Sequence, residues 1–261
     1  MFDVVDLEPR PRESVTWRDF LDQARPNSIA LDGYVRAPPM RDFHARKFNF
    51  DHHEGVVRDA TMSTCRQVLF AIKGGLFELL REDGKPKANV YVNDSDQDTS
   101  LAVWLLENYK MVERDHSIPH LNRLIDLTDR LDVTGGGFPL NLRDKLLAQH
   151  NWVFEPYNEL RRSGALASID AAGLTSNIEA VMRRLDKFVI GEGGEKSLNT
   201  EHRILYDSQY GYKIIDEIGG NEARYYLFSK GLDAFISLVA TRPDGGRVWS
   251  VGRRSPYIPF P

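Results

Sequence analysis

Two short segments concentrate side chains that bind metals and move protons. The first is FDHHEG, residues 50–55, in which Asp51 is followed directly by His52 and His53. The second is VNDSDQDTS, residues 92–100, which crowds Asp94, Asp96 and Asp98 into five residues. Three costly polar side chains at a strand end need partners, and three neighbouring carboxylates repel one another unless a cation compensates. Taken singly, the first also reads as an exposed polar turn and the second as a solvated acidic turn. Their joint occurrence is far more specific. Oxygen and imidazole donors together suit Mn²⁺, Mg²⁺, Co²⁺ or Zn²⁺. Two such ions, roughly 3.5–4 Å apart, activate a water and clamp both oxygens of an in-line phosphoryl displacement. A calcium loop is the competing metal reading, because D-x-D-x-D opens an EF-hand. Against it, Ser100 and Leu101 begin a hydrophobic helix where that loop requires Gly and later Glu.

The elements around these segments must deliver them to one place. SIALDGYV (28–35) reads as a buried strand ending at Asp32, RKFNFDHH as a second ending at Asp51, and ANVYVND as a third ending at Asp94. ATMSTCRQVLFAIKGGLFELL (60–80) predicts one amphipathic helix with Val68, Leu69, Ile72, Leu76 and Leu79 on related faces. TSLAVWLLENYKMV predicts another, capped by Thr99 or Ser100. Alternating strands and helices over 28–115 imply parallel strands with helical crossovers. Such sheets bind ligands beyond the carboxyl ends of their strands, which gathers Asp32, Asp51 and Asp94 on one rim.

PHLNRLIDLTDRLDVTGG (119–136) predicts a helix carrying Asp126, Asp129 and Asp132 near one face and stopped by Gly135–Gly137. Residues 1–27 are polar and proline-dotted, with a short helical pattern at Trp17–Ala24. Residues 142–190 look helical, broken near Pro156, Gly164 and Gly173. The Gly-rich polar stretch 191–200 is the best linker. The remainder, 201–261, is β-rich: RYYLFS (224–229), AFISLVAT (234–241) and RVWSVGRRS (247–255), the last two joined by a hairpin turn at Arg242–Gly246.

Composition bounds the rest. The chain has 261 residues, 41% hydrophobic and 28% charged, enough for one large domain or two moderate ones. A formal net charge of -4 argues against a nucleic-acid coat, which needs a basic surface. Cys65 is the one cysteine, which excludes an intrachain disulfide and a thiolate zinc cluster; its helical surroundings suggest a buried structural thiol. There is neither a spanning apolar run nor a secretory leader, so the expected location is cytoplasmic.

These motifs resemble the DHH phosphoesterase superfamily, which includes RecJ-type exonucleases, nanoRNA and phosphoadenosine phosphatases, and manganese pyrophosphatases. DQD at 96–98, followed by T-S-L-A, looks like the family's first motif; LDGYV puts Asp32 in place of the second; FDHHEG matches the third. The fourth is a single Asp, for which Asp129 is favoured and Asp132 is second choice. Two departures stand out. The D-x-D segment follows DHH where the family places it before, a circular rearrangement. Val92 stands where the family often has a metal-binding His, leaving Asp94 as the nearest substitute.

The resemblance implies a parallel-sheet α/β domain with flanking helices over 1–190, and a smaller α+β C-terminal domain over 201–261, shortened relative to the family. It implies a metal-dependent phosphohydrolase of a nucleotide, short oligonucleotide or related small phosphoester, using two Mn²⁺ or Mg²⁺ ions and an activated water. Asp32 would bridge the ions, with Asp94 and Asp96 completing one site and Asp98, His52 and Asp129 or Asp132 the other. His53 would contact phosphate, Asp51 would orient a histidine, and Arg253 and Arg254 would meet the substrate phosphate. The alternative is a metal- or nucleotide-binding protein that has lost catalysis, to which Val92 points. Arg25, Arg36 and the 136–165 stretch with Trp152 and Phe154 are candidate substrate selectors, although core packing explains the aromatics equally well; His44, with Arg41, Arg46 and Lys47, could face phosphate, with a solvated loop the safer reading.

Overall fold

Ile29 and Leu31 face one side of the central sheet and Ala30 the other, and this period of two sets the two layers. The computed structural model describes residues 2–114, 118–137, 140–197, 201–210, 212–217, 227, 235–241 and 247–253. Its central sheet contains β1 (Val5–Pro9), β2 (Ser28–Leu31), β3 (Met40–Asp42), β4 (Lys47–Phe50) and β7 (Ala88–Val92), in the order β1-β7-β2-β4-β3. All neighbouring pairs are parallel except β3 with β4. The fold is therefore mixed α/β, with a mostly parallel sheet flanked by helices.

On one face, Ile29, Leu31, Val90 and Val92 are fully buried against the main helical layer, each contributing about 1.5–3 kcal/mol of burial. That layer holds α2 (Thr64–Lys73), α4 (Gln97–Glu107), α6 (Pro119–Val133) and α9 (Ala171–Val189). α4 is its centre. Every residue from Asp98 to Leu106 is buried, as expected of a helix covered on all sides. The Trp104 indole N–H donates to Asp186 at 2.8 Å, fixing α4 to α9. On the other face Ala30 and Tyr91 pack with Phe20 of α1 (Trp17–Gln23) and with Tyr34.

Several elements depart from the sequence-based expectation. β1, not anticipated, pairs with β7, and Glu107 at the end of α4 accepts the N–H groups of Asp3 (2.7 Å) and Val5 (2.9 Å). The helix expected over 60–80 is divided. A 3-10 turn at Arg58–Ala60 precedes α2, and Gly75, at φ +88°, separates α2 from α3 (Leu76–Leu79); that backbone suits glycine. α4 is capped by Asp96, not Thr99 or Ser100, and gives way at Asn108 to α5 (Tyr109–Glu113). Helix α6 ends at Val133 ahead of Gly135 and Gly136, as expected. Among the later helices, α7 (Lys145–Val153) and α8 (Glu155–Ser163) precede α9. Gly173 lies inside the first turn of α9, where a Cβ would meet Ile169 at 2.8 Å; the break falls instead at the capping Asp170.

Between α3 and β7 lies a small hairpin of β5 (Arg81–Glu82) and β6 (Lys85–Pro86). The expected linker begins as a packed segment: Lys196 N–H donates to Ala148 at 2.8 Å. Further along, β8 (His202–Asp207), β9 (Tyr212–Glu217), β10 (Phe235–Thr241) and β11 (Arg247–Arg253) form a second sheet ordered β11-β10-β9-β8. β10 and β11 are antiparallel, but the turn at Arg242–Gly246 lies outside the described residues, as does RYYLFS apart from Leu227. Among the described residues no helix is long and apolar enough to cross a membrane.

Candidate metal centre

Strands β7, β2 and β4 are adjacent and parallel, so the residues that follow them emerge at one edge of the sheet. Asp32 follows β2 directly, Asp51 follows β4, and Asp94 lies two residues beyond β7. Leu31–Tyr34 is a turn closed by Tyr34 N–H donating to Leu31 at 3.2 Å, with Asp32 at φ +51° and Gly33 at φ +83°. Two consecutive left-handed residues are a demanding conformation, which Asp tolerates better than most side chains. The turn leaves the Asp32 carboxylate buried, with Thr64 Oγ1 donating to one oxygen and Thr99 Oγ1 to the other, both at 3.1 Å.

The DHH segment is organised by its aspartate. Asp51 is fully buried and accepts the backbone N–H groups of His52 (2.7 Å) and His53 (3.0 Å), while its Oδ1 also lies 2.9 Å from His53 Nδ1. It therefore positions a histidine, and that histidine is His53. The fully buried His52 turns inward. Its Nε2 is 2.6 Å from Asp132 Oδ2, 3.5 Å from Asp32 Oδ1 and 3.8 Å from Asp98 Oδ2. Neither ring nitrogen of His52 makes a hydrogen bond, and neither does Asp132 Oδ2. Two groups of donor atoms result, each within 4.8 Å of one another: Asp32, His52 and His53, and His52, Asp98 and Asp132.

The remaining acids divide their work. Asp98, in the first turn of α4, accepts Thr64 N–H (2.6 Å) and Cys65 N–H (2.8 Å) from the opening turn of α2, where free amide donors favour an anion. Asp129, the favoured fourth-motif residue, accepts Ser63 N–H at 2.8 Å and lies 3.4 Å from Arg66. It caps α2, and Asp132, one turn on, is the residue that reaches the histidine. Asp126 pairs with Arg66 and Arg130. Asp96 caps α4 through Thr99 N–H at 2.8 Å, and Asp94 accepts Ser95 N–H at 2.6 Å. Neither belongs to the two donor groups. Val92 is fully buried in β7 and offers no ligand.

This concentration of acid distorts proton affinities. Burial pushes Asp98 up to about 7, with Asp132 and Asp32 adding to it; burial likewise raises Asp94 to about 6 and Asp96 well above the carboxylate range. Asp32 behaves oppositely. Burial acts to raise it, but the His52 ring 3.5 Å away and the charges of His53 and His52 hold it at about 2. Burial opposes protonation of His52, yet Asp132 and Asp32 carry it up to about 10. The cluster retains protons where a cation would serve the same carboxylates.

A cleft of about 240 Å³ adjoins the cluster, lined by Asp96, Asp98 and Asp132 on one side and Tyr157, Asn158 and Arg161 of α8 on another. A larger groove of about 600 Å³, walled by Phe43, Phe48, Phe50 and Phe70, contains none of the clustered acids or histidines. The sequence reading includes Tyr157, Asn158 and Arg161 within the 136–165 stretch of candidate selectors but does not single them out. Their only signal was the i,i+4 spacing of Tyr157 and Arg161, which many surface helices share. It missed Arg58, which donates to Asp132 at 3.1 Å.

The basic and aromatic residues singled out near the motifs are engaged elsewhere. Lys47 is buried and donates to the Leu21 carbonyl at 2.5 Å; Arg46 donates to Arg81; Arg25 pairs with Asp6 and Glu8; Arg41 lies over Phe43. Arg36 and His44 are exposed. Phe154 is in the core and Trp152 packs against it, beneath Arg184. Arg253 closes β11, and Arg254 lies outside the described residues. Cys65 is buried, as expected. Comparison of the chain with protein-family models, with curated proteins and with solved structures yields no match.

Proposed function

We propose that this chain is a metal-dependent phosphoesterase related to the DHH superfamily, hydrolysing a phosphoester of a nucleotide, short oligonucleotide or related small molecule. One observation carries the reading. His52, Asp98 and Asp132 come from three separate elements, yet their donor atoms converge on one point at the carboxyl edge of a parallel sheet. His52 Nε2 and Asp132 Oδ2, 2.6 Å apart with neither in a hydrogen bond of good geometry, fit a divalent cation, because buried polar atoms otherwise require well-aligned partners. In this reading His52, Asp98 and Asp132 hold one Mn²⁺ or Mg²⁺ ion. Asp32, adjacent to both histidines, would be shared with a second ion, with Asp94 and Asp96 as its remaining carboxylates. Divalent cations there would acidify a water and neutralise charge on the phosphoryl oxygens.

The protein's own groups supply the rest. Asp51 fixes the tautomer and ring orientation of His53 through Nδ1, leaving Nε2 to face a phosphoryl oxygen or the leaving group. Thr64 and Thr99 orient the Asp32 carboxylate. The test is turnover of a phosphoester panel with Mn²⁺ by wild type and Asp32→Ala, with circular dichroism to establish the fold. Loss of activity in a folded variant is expected; wild-type turnover by purified Asp32→Ala would falsify the assignment. The buried Val92 favours a second reading, a binding protein without catalysis. Mn²⁺ uptake by the wild type with no turnover on any panel member would establish that one instead.

A further inference from the structure

A phosphoester entering the cleft meets three carboxylates, and its own negative charge makes that approach unfavourable. Bound cations offset the acids, but the far wall must also present something the phosphoryl group can bind. Among the described residues lining the cleft, Arg161 is the one cation. Its position is linked to that of the acids. Gln97, in the same turn of α4 as Asp96 and Asp98, donates to Asn158 Oδ1 at 3.2 Å, and Arg161 is one turn beyond Asn158 on α8. Arg161 also interacts with other groups of the protein. Tyr157, one turn before it, lines the same cleft, and its phenol carries a hydroxyl donor.

The rim supplied by the end of α6 is backbone. Gly135 and Gly136 take φ of +58° and +79°, and the space beside Gly135 is open. At about 240 Å³ the cleft falls below the ~300–1,000 Å³ typical of pockets that enclose whole drug-sized ligands. It suits a phosphoryl group with the remainder of the substrate outside.

We propose that Arg161, with Tyr157 beside it, is the phosphoryl-recognition element of this site, so that the anion is gripped by α8 rather than by Arg253 and Arg254. A planar guanidinium offers two parallel donors to two phosphoryl oxygens, which an ammonium does not. The inference rests on the metal-centre reading, and the experiment separates the two.

The intact chain is titrated calorimetrically with Mn²⁺ alone, and the Mn²⁺-loaded protein is then titrated with inorganic phosphate, for wild type, Arg161→Gln and Arg161→Lys. The expected result is Mn²⁺ affinity within about twofold of wild type in both variants. Phosphate affinity falls about tenfold or more in Arg161→Gln, the loss of a charged contact, and is partly recovered in Arg161→Lys. Unchanged phosphate binding by Mn²⁺-loaded Arg161→Gln overturns the inference and leaves the metal centre standing. So does a wild type that takes up Mn²⁺ but not phosphate. Loss of Mn²⁺ by Arg161→Gln overturns it as well, making Arg161 a support for the acids. Absence of Mn²⁺ uptake by the wild type overturns the metal-centre reading and this inference with it.

Discussion

His52 Nε2 and Asp132 Oδ2 lie 2.6 Å apart, and neither makes a hydrogen bond. A buried imidazole and carboxylate that close ordinarily share a proton along the line between them. Here the geometry does not meet that of a hydrogen bond, and Asp98 Oδ2 also lies 3.8 Å from His52 Nε2. In the proposed function these three donors are the ligands of one cation.

The division of labour between Asp129 and Asp132 can be read separately. Asp132→Asn is expected to weaken Mn²⁺ binding by about 10-fold or more, since it removes a ligand charge. Asp129→Ala should leave Mn²⁺ affinity near wild type and cost about 0.5–2 kcal/mol of stability, the usual range for a lost cap. Titration calorimetry and urea unfolding measure the two. Reversal of the pattern would return the ligand role to Asp129.

Stability of the metal-free protein should fall as pH rises from about 6.5 to 9. Asp98, raised from 3.8 to about 7, and His52, raised from 6.5 to about 10, bind protons in the fold that the unfolded chain releases. Their contributions are complete below 3.8 and 6.5 respectively, and are lost as pH climbs through about 7 and toward 10. The buried His150, lowered to about 3, acts in the opposite sense but only below 6.5, and Asp32, lowered to about 2, only below 3.8. Mn²⁺ displaces the same protons, so its affinity should increase over this range and flatten the slope of Tm against pH. Thermal scans with chelator and with Mn²⁺ check this; parallel slopes would refute it.

Replacing Asp51 by Asn keeps an oxygen for the two backbone N–H groups but removes the charge facing His53. The hydrogen bond that His53 donates to Asp51 is the main cause of the raised His53 pKa. In Asp51→Asn the imidazole should titrate lower in a histidine-resolved NMR titration, with metal affinity or activity reduced about 10–100-fold. An unmoved titration would show that Asp51 is only a turn residue.

Cys65 is buried and its thiol is held well above 9, first by burial and then by Asp98. The folded chain should resist Ellman's reagent at pH 8 and react fully in guanidinium. Rapid labelling of the native protein would contradict the packing of α2 against α4.

The sheet that carries the site was largely legible. Ile29, Phe48 and Val90 lie in short apolar runs ended by acids, and that pattern located three strands and the edge they share. β1 escaped because VDLEP mixes acids and a proline into a strand held by pairing with β7 and by Glu107. The sequence reading favours Asp129 over Asp132, whereas the fold brings Asp132 to His52. Three-residue spacing puts both near one helix face, and the docking angle of α6 on α2 decides which reaches His52. Asp96 was legible as an acid but not as a cap, because Asp, Thr and Ser all suit the opening of α4. Arg161 belongs to a helix tied to the acid-bearing turn of α4 by a contact distant in sequence, Gln97 with Asn158.

The opening turn of α2 also bears on the order in which the molecule assembles. Its amides at Thr64 and Cys65 are held by Asp98 across 34 and 33 residues, and Ser63 N–H is held by Asp129 across 66. Contacts so distant in sequence incur the entropy of loop closure before they return any stabilisation. The donor cluster is therefore completed only after α4 and α6 have docked, and a nascent chain cannot bring these donors together until the whole stretch from Asp32 to Asp132 has been synthesised. Amide exchange at residues 63–65 would time that event.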